Sequence, residues 1–368
     1  MQPGPPSDGA FAKVCAEGVA APRAVESRPG SGSGTGGAPP SPIFIMGCPR
    51  SGTTLLAQIL NCHSRISIYH ETYYYPVFHG ELAHYGDLRR QENLERFLAD
   101  LFEHLRIQRV EPPDPEEFRR ALVAPTFPGV LHTLLHLYAR RQSKLRSGDK
   151  TPGHHAHVAR LREDFPESPM LFLLRDPRDT VLSMQRVFRT SVKGAAARWN
   201  RAFQDYVRSS PSIHAVRFEE LVRDPERVLQ TVCGHLGERF EPAMLQYYEH
   251  VPPEFLDRRH AGRLRGPIDA SSVGNYRELP ARHVALIEEI CAEGMEALGY
   301  ERTTPRRAPT PAPPEPASGR LRFVVDQLRY YGFHRERWKR GWFRWRMSLR
   351  LRLRSLLHSD GGAPPAAS

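Results

Sequence analysis

The stretch 43–60, IFIMGCPRSGTTLLAQIL, constrains this 368-residue chain more than any other. Ile43, Phe44, Ile45 and Met46 form the short apolar run of a buried parallel strand. A loop with Gly47 and Gly52 follows, and Leu55, Leu56, Ile59 and Leu60 then repeat at helical spacing. A strand, a glycine loop and a helix in this order make a phosphate-binding turn. The glycines let backbone approach an anion, and the N–H groups of Gly52, Thr53 and Thr54 lie at the positive end of the helix dipole. The spacing is that of G-x-x-x-x-G-K-[ST], except that Thr53 stands where the lysine belongs. Without that lysine a triphosphate-splitting reading weakens, although a P-loop kinase or NTPase stays open as an alternative. A single phosphate can still be held by the amides, by the Thr53 and Thr54 hydroxyls and by the charge of Arg50.

Four further segments carry chemistry. In 65–76, RISIYHETYYYP, Ile66 and Ile68 alternate with polar residues as in a second strand, which puts Glu71 and Thr72 at its end. Loops at the carboxyl ends of parallel strands form the ligand crevice, so Glu71 shares a rim with the Arg50 loop. In 147–152, SGDKTP, Lys150 reads as a point charge on a loop between a Gly-Asp turn and a Thr-Pro helix start, with His154 beyond it as a helix-start histidine that could lie near an acceptor. The run MLFLL at 170–174 is another buried strand, and RDPRDTVLS follows. There Arg175 at the strand tip and Ser183 two helical turns on could grip a second anion, while Asp176, Arg178 and Asp179 cap the helix and pair with each other. The segment 271–277, SSVGNYR, is a glycine-bearing loop with two hydroxyls and an arginine. Residues 87–145 are helical in pattern and broken by prolines.

These motifs resemble those of the sulfotransferases, which use 3′-phosphoadenosine 5′-phosphosulfate (PAPS) as sulfuryl donor. PRSGTTL at 49–55 looks like their 5′-phosphosulfate loop, RDPRDTVLS like their R-D-P-R-D-x-x-x-S 3′-phosphate motif, and DKTP at 149–152 like their Asp-Lys-Thr-Pro element. Glu71-Thr72 resembles the place where protein-tyrosine sulfotransferases keep a catalytic base. The resemblance covers residues 42–304 and implies a three-layer, P-loop-like α/β domain with a mainly parallel sheet and a helical acceptor-pocket region. It also implies PAPS as co-substrate, no metal, and in-line transfer to an acceptor hydroxyl on carbohydrate, a lipid headgroup, protein tyrosine or a small phenol. Glu71 would be the base, with its pKa raised by burial toward the working range. Arg50 and Lys150 would steady the transferring group, and Ser51, Gly52, Thr53 and Thr54 would hold the 5′-phosphate. Arg175 and Ser183 would hold the 3′-phosphate. In the looser match at 271–277, Ser271 or Ser272 would touch the 5′-phosphosulfate side and Arg277 the 3′-phosphate.

The flanks differ in kind. Residues 1–41, rich in Gly, Pro, Ser and Ala, read as a disordered leader, 305–318 as a stiff Pro-rich linker and 359–368 as a disordered end. The net charge of +11 sits almost wholly in the tail, where 319–357 carries twelve basic and two acidic residues. Within 319–358, Trp338, Trp342, Trp345, Leu349, Leu353 and Leu356 share one face of a basic amphipathic helix. That pattern reads as lying on an anionic membrane surface, with a docked helix or a nucleic-acid tail as alternatives and no nucleic acid expected. A non-catalytic membrane-binding adaptor is therefore a rival to the enzyme. Five scattered cysteines without C-x-x-C spacing argue against a disulfide framework or a zinc site. No apolar run is long enough to span a bilayer, and no signal-peptide pattern opens the chain, which points to a cytoplasmic enzyme with peripheral membrane contact.

Overall fold

The computed structural model describes residues 39–107, 112–209, 211, 213–251, 264–305, 346, 347 and 349. Residues 1–38 of the leader, 306–318 of the linker, 359–368 and nearly all of the amphipathic tail lie outside these residues. Five parallel strands form one sheet: β1 (Ile43–Gly47), β2 (Ile66–His70), β3 (Arg146–Lys150), β4 (Met170–Leu174) and β5 (His214–Arg217), in the order β2-β3-β1-β4-β5. The chain leaves β1 toward one edge and later returns to build the other. The switch point therefore lies over the carboxyl end of β1, where open α/β sheets bind ligands.

The pleat of β1 sorts its side chains into two apolar layers. Ile43 and Ile45 pack with Leu56, Leu60, Leu229 and Val232, on the side of α1 (Thr53–Asn61) and the later helix Pro225–Leu236. Phe44 and Met46 face the opposite layer, with α2 (Gln91–Ile107), α3 (Phe127–Arg141), α4 (Pro177–Phe188) and α5 (Val192–Ser209). The three-layer α/β expectation is met, with each fully buried aliphatic or aromatic side chain adding roughly 1.5–3 kcal/mol. The last domain helix is divided at Cys291 into α6 (Ala281–Ile290) and Ala292–Ala297.

One element departs from the sequence reading. Lys150 does not sit on a loop: it ends β3, with Gly148 beside Ile43 and Lys150 beside Ile45. RSGDK has no apolar residue, so hydrophobic patterning was silent. The strand forms between β1 and β2 because small Ser147 and Gly148 fit there and because buried Asp149 and Lys150 both find partners.

Candidate functional site

The loop after β1 delivers α1 with Gly52 as its N-cap, at φ 102°, and no side chain caps the helix. A Cβ at Gly52 would stand 2.5 Å from the Phe218 ring, so only glycine fits both the conformation and the space. The first-turn amides of α1 are thus left facing the crevice without intrahelical acceptors. Ser51 acts within the loop, where its hydroxyl donates to the Cys48 carbonyl at 2.6 Å. Thr53 is buried beside it.

Arg50 has a left-handed backbone, φ 77°, which turns its side chain toward α4. Its Nε donates to Ser183 Oγ at 3.2 Å, and Arg175 Nη1 donates to the Arg50 carbonyl at 3.0 Å. The two turns, 125 residues apart in sequence, are therefore in direct contact. Arg175 is buried, its guanidinium 4.3 Å from the Phe218 ring centroid, and its Nη2 donates to the Ser272 carbonyl at 2.8 Å. Ser272 is buried too. Its hydroxyl and Arg175 Nε are buried polar atoms with no hydrogen-bond partner among the described residues. Orphaned groups of this kind are costly unless a ligand completes them.

On the other flank, Lys150 is fully buried and donates to Glu71 Oε1 at 2.6 Å and to Thr54 Oγ1 at 3.2 Å. Glu71 also has a left-handed backbone, φ 61°. Its pKa runs against the sequence expectation. Burial pushes the carboxyl up, but the Lys150 charge, His70 and hydrogen bonds from Lys150 and Tyr73 outweigh it and hold Glu71 well below the usual carboxylate range. The reason is specific to the pairing: a half-buried carboxylate facing a fully buried ammonium is stabilised in its charged form.

Behind this pair lies a network that sequence reasoning missed. Asp149 accepts from Thr72 Oγ1 at 2.5 Å and from the Thr72 amide at 3.2 Å, and it meets His154 Nε2 at 2.7 Å. His154 therefore braces the Glu71 turn from within the core instead of facing an acceptor. Tyr74 and Tyr75 are core as well, with hydroxyls donating to the Phe127 carbonyl and to Asp164. Under the second turn, the Glu219 carboxylate accepts from the Asp176 amide at 2.8 Å and from the Tyr300 hydroxyl at 2.9 Å. Arg178 pairs with Asp176 at 2.7 Å and Glu288 at 2.8 Å, so it is structural. The FEE segment at 218–220 supplies Glu219 to that support.

Arg50, Thr53, Thr54, Glu71, Lys150, Arg175, Ser183 and Ser272 thus converge at the carboxyl ends of β1 to β4. Ser271 and Arg277 are not brought into contact with them: both are exposed, and Arg277 donates to the Gly274 carbonyl of its own loop. No group of three or more His, Cys, Asp or Glu suited to a metal occurs among the described residues. No helix among them is long and apolar enough to cross a membrane.

A family model described as "Sulfotransferase family" matches residues 42–242. Among curated proteins, the nodulation protein NoeE of Sinorhizobium fredii is 25% identical over 293 residues, covering 71% of this chain and 66% of that protein. A protein-tyrosine sulfotransferase of Drosophila melanogaster is 24% identical over 278 residues, covering 70% of this chain and 51% of that one. With an uncharacterized Aquifex aeolicus protein covered to 33%, the chain spans between a third and two thirds of these relatives' lengths. Among solved structures, the sulfotransferase domain of the Synechococcus PCC 7002 olefin synthase aligns over 69% of this chain and 96% of its own, with 24% identity and a TM-score of 0.46.

Proposed function

Because the chain belongs to the sulfotransferase family, we propose that it transfers a sulfuryl group from PAPS to an acceptor hydroxyl by in-line displacement. The observation that supports this reading is the contact of Arg50 with both Arg175 and Ser183, which brings the two turns side by side. A nucleotide with phosphates at both its 3′ and 5′ positions needs such a pair. The orphaned Ser272 hydroxyl and Arg175 Nε fit that ligand, since each is a donor that lacks the acceptor a phosphate oxygen would supply. When bound, PAPS supplies the sulfuryl group and a phosphate leaving group.

The rest is work for this chain's residues. The α1 amides with Thr53 and Thr54 hold the 5′-phosphate side, and Arg175 with Ser183 holds the 3′ side. Glu71 takes the proton from the acceptor hydroxyl. Lys150 lies between Glu71 and Thr54, close enough to serve either the base or the charge that grows on the leaving side. Without ligand it holds the Glu71 proton affinity down; turning Lys150 toward the donor raises that affinity when a base is needed. Positioning and charge stabilisation are what group transfer of this kind demands, and no metal is assigned a role. The name of one relative keeps protein tyrosine among the acceptors, beside carbohydrate and lipid headgroups. Labelled donor offered to each acceptor class tests the reading: transfer by the wild type and none by E71Q supports it, whereas no transfer to any class opposes it. ATP hydrolysis dependent on magnesium would favour the NTPase alternative.

A further inference from the structure

The first turn of α4 contains an arrangement that ordinary helix capping does not explain. Asp176 is the N-cap, its side chain accepting from the Arg178 amide, with Pro177 first in the helix. Asp179 is therefore the third helical residue, from which an acidic side chain normally reaches back to the N-cap amide. Here that amide already donates to Glu219 at 2.8 Å. Asp179 is left to reach outward. Its two oxygens accept the Gly274 amide at 2.7 Å and the Tyr276 amide at 2.7 Å, from a loop 95 and 97 residues away. Gly274 has φ +81°, the turn that brings both amides to one carboxylate. Asp179 is 2% exposed, so these are charge-assisted bonds in a dry setting. The same loop is gripped a second time where Arg175 Nη2 meets the Ser272 carbonyl.

We infer that Asp179 is a positioning residue that latches loop 272–276 over the nucleotide, so that Ser272, and not Ser271, presents its hydroxyl to the 3′-phosphate that Arg175 holds, and not to the 5′-phosphosulfate side that the loop's resemblance implies. This rests on the bisphosphate-nucleotide reading above. One helix start thereby sets both halves of the subsite: Arg175 just before α4 reaches the phosphate directly, and Asp179 within α4 fixes the distance of the serine.

Calorimetric titration with 3′,5′-bisphosphoadenosine (PAP) and with AMP tests it on wild type, S272A, D179N and the double variant. The latch predicts that S272A and D179N each weaken PAP about tenfold, the loss of one charge-assisted bond. It also predicts little change for AMP and no further loss in the double variant. D179N unchanged for PAP, or losses that multiply in the double variant, overturns the latch while leaving the nucleotide reading intact. Wild type without preference for PAP over AMP overturns both. Should D179N fail to fold, hydrogen exchange on the wild type decides: slow exchange at Gly274 and Tyr276 is required, and exchange at the rate of open loop amides overturns the proposal.

Discussion

Lys150 and Glu71 form the tightest cross-element ion pair at the crevice, and its two members do not tolerate separate removal. Taking the carboxylate from a fully buried ammonium costs about 3–5 kcal/mol, whereas replacing both charges with groups of similar size costs far less. E71Q should therefore lower the urea midpoint more than K150M/E71Q does; the reverse order would show that the pair contributes little. Both E71Q and K150A should keep PAP binding and lose about 10²–10³-fold in turnover, the usual size of one transition-state contact. Activity assays with PAP binding as control check this, and unchanged rates would remove either residue from the chemistry. The pH profile gives the sign independently. Lys150 holds the Glu71 carboxyl low, so the acid limb of kcat/KM lies low in the wild type. It should move upward in the residual activity of K150A, where burial acts alone. Residues in the two turn motifs were the legible ones: Arg50, Arg175 and Ser183 sit in motifs whose spacing implies an anion. The Glu71 pKa was not legible, because its direction depends on the 2.6 Å approach of a lysine from another strand.

At the scale of elements, β1 and β4 could be read from apolar runs, and α1 and α4 from glycine, proline and helical spacing. β3 could not, since its burial depends on partners for Asp149 and Lys150 that no local pattern encodes. The supports between elements were equally hidden. Glu288 on α6 accepts from Arg178 and from the amides and hydroxyls of Thr303 and Thr304, all between 2.5 and 3.0 Å. It fastens the end of the domain to the start of α4. E288Q leaves Arg178 buried with half its carboxylate partners, and a loss of about 3 kcal/mol in urea unfolding is expected. A change within 0.5 kcal/mol would contradict that role, being what a surface site gives. G52A should lose both stability and nucleotide affinity, because the Phe218 ring and the backbone turn reject a Cβ together.

For the whole molecule, two histidines make acid the weak side. His214, stacked on His235 at 4.7 Å, and His157, beside His79, His154 and His155, are each held down to about 4, chiefly by burial and then by those neighbours. Their folded forms favour the neutral ring, so the unfolded chain binds more protons between about 6.5 and 4. Stability is full above that window and falls as pH drops through it. Urea midpoints should decline from pH 7 to 5, less steeply in H214N/H157N; equal slopes would contradict the assignment. In the tail, Met347 is buried in the apolar layer that includes α2, and Arg346 pairs with Glu103 of that helix. A chain ending at residue 305 should therefore melt lower. If the membrane reading of the tail also holds, that chain loses pelleting with anionic vesicles, and equal pelleting of both chains rejects it.

The central claim is that two neighbouring turns of one sheet hold the two phosphates of a single nucleotide. Titration of the wild type and R175A with PAP, AMP and magnesium ATP measures it directly. The wild type should bind PAP at least tenfold more tightly than the other two, and R175A should lose that margin. PAP bound no better than AMP, or a margin that survives without Arg175, would contradict it.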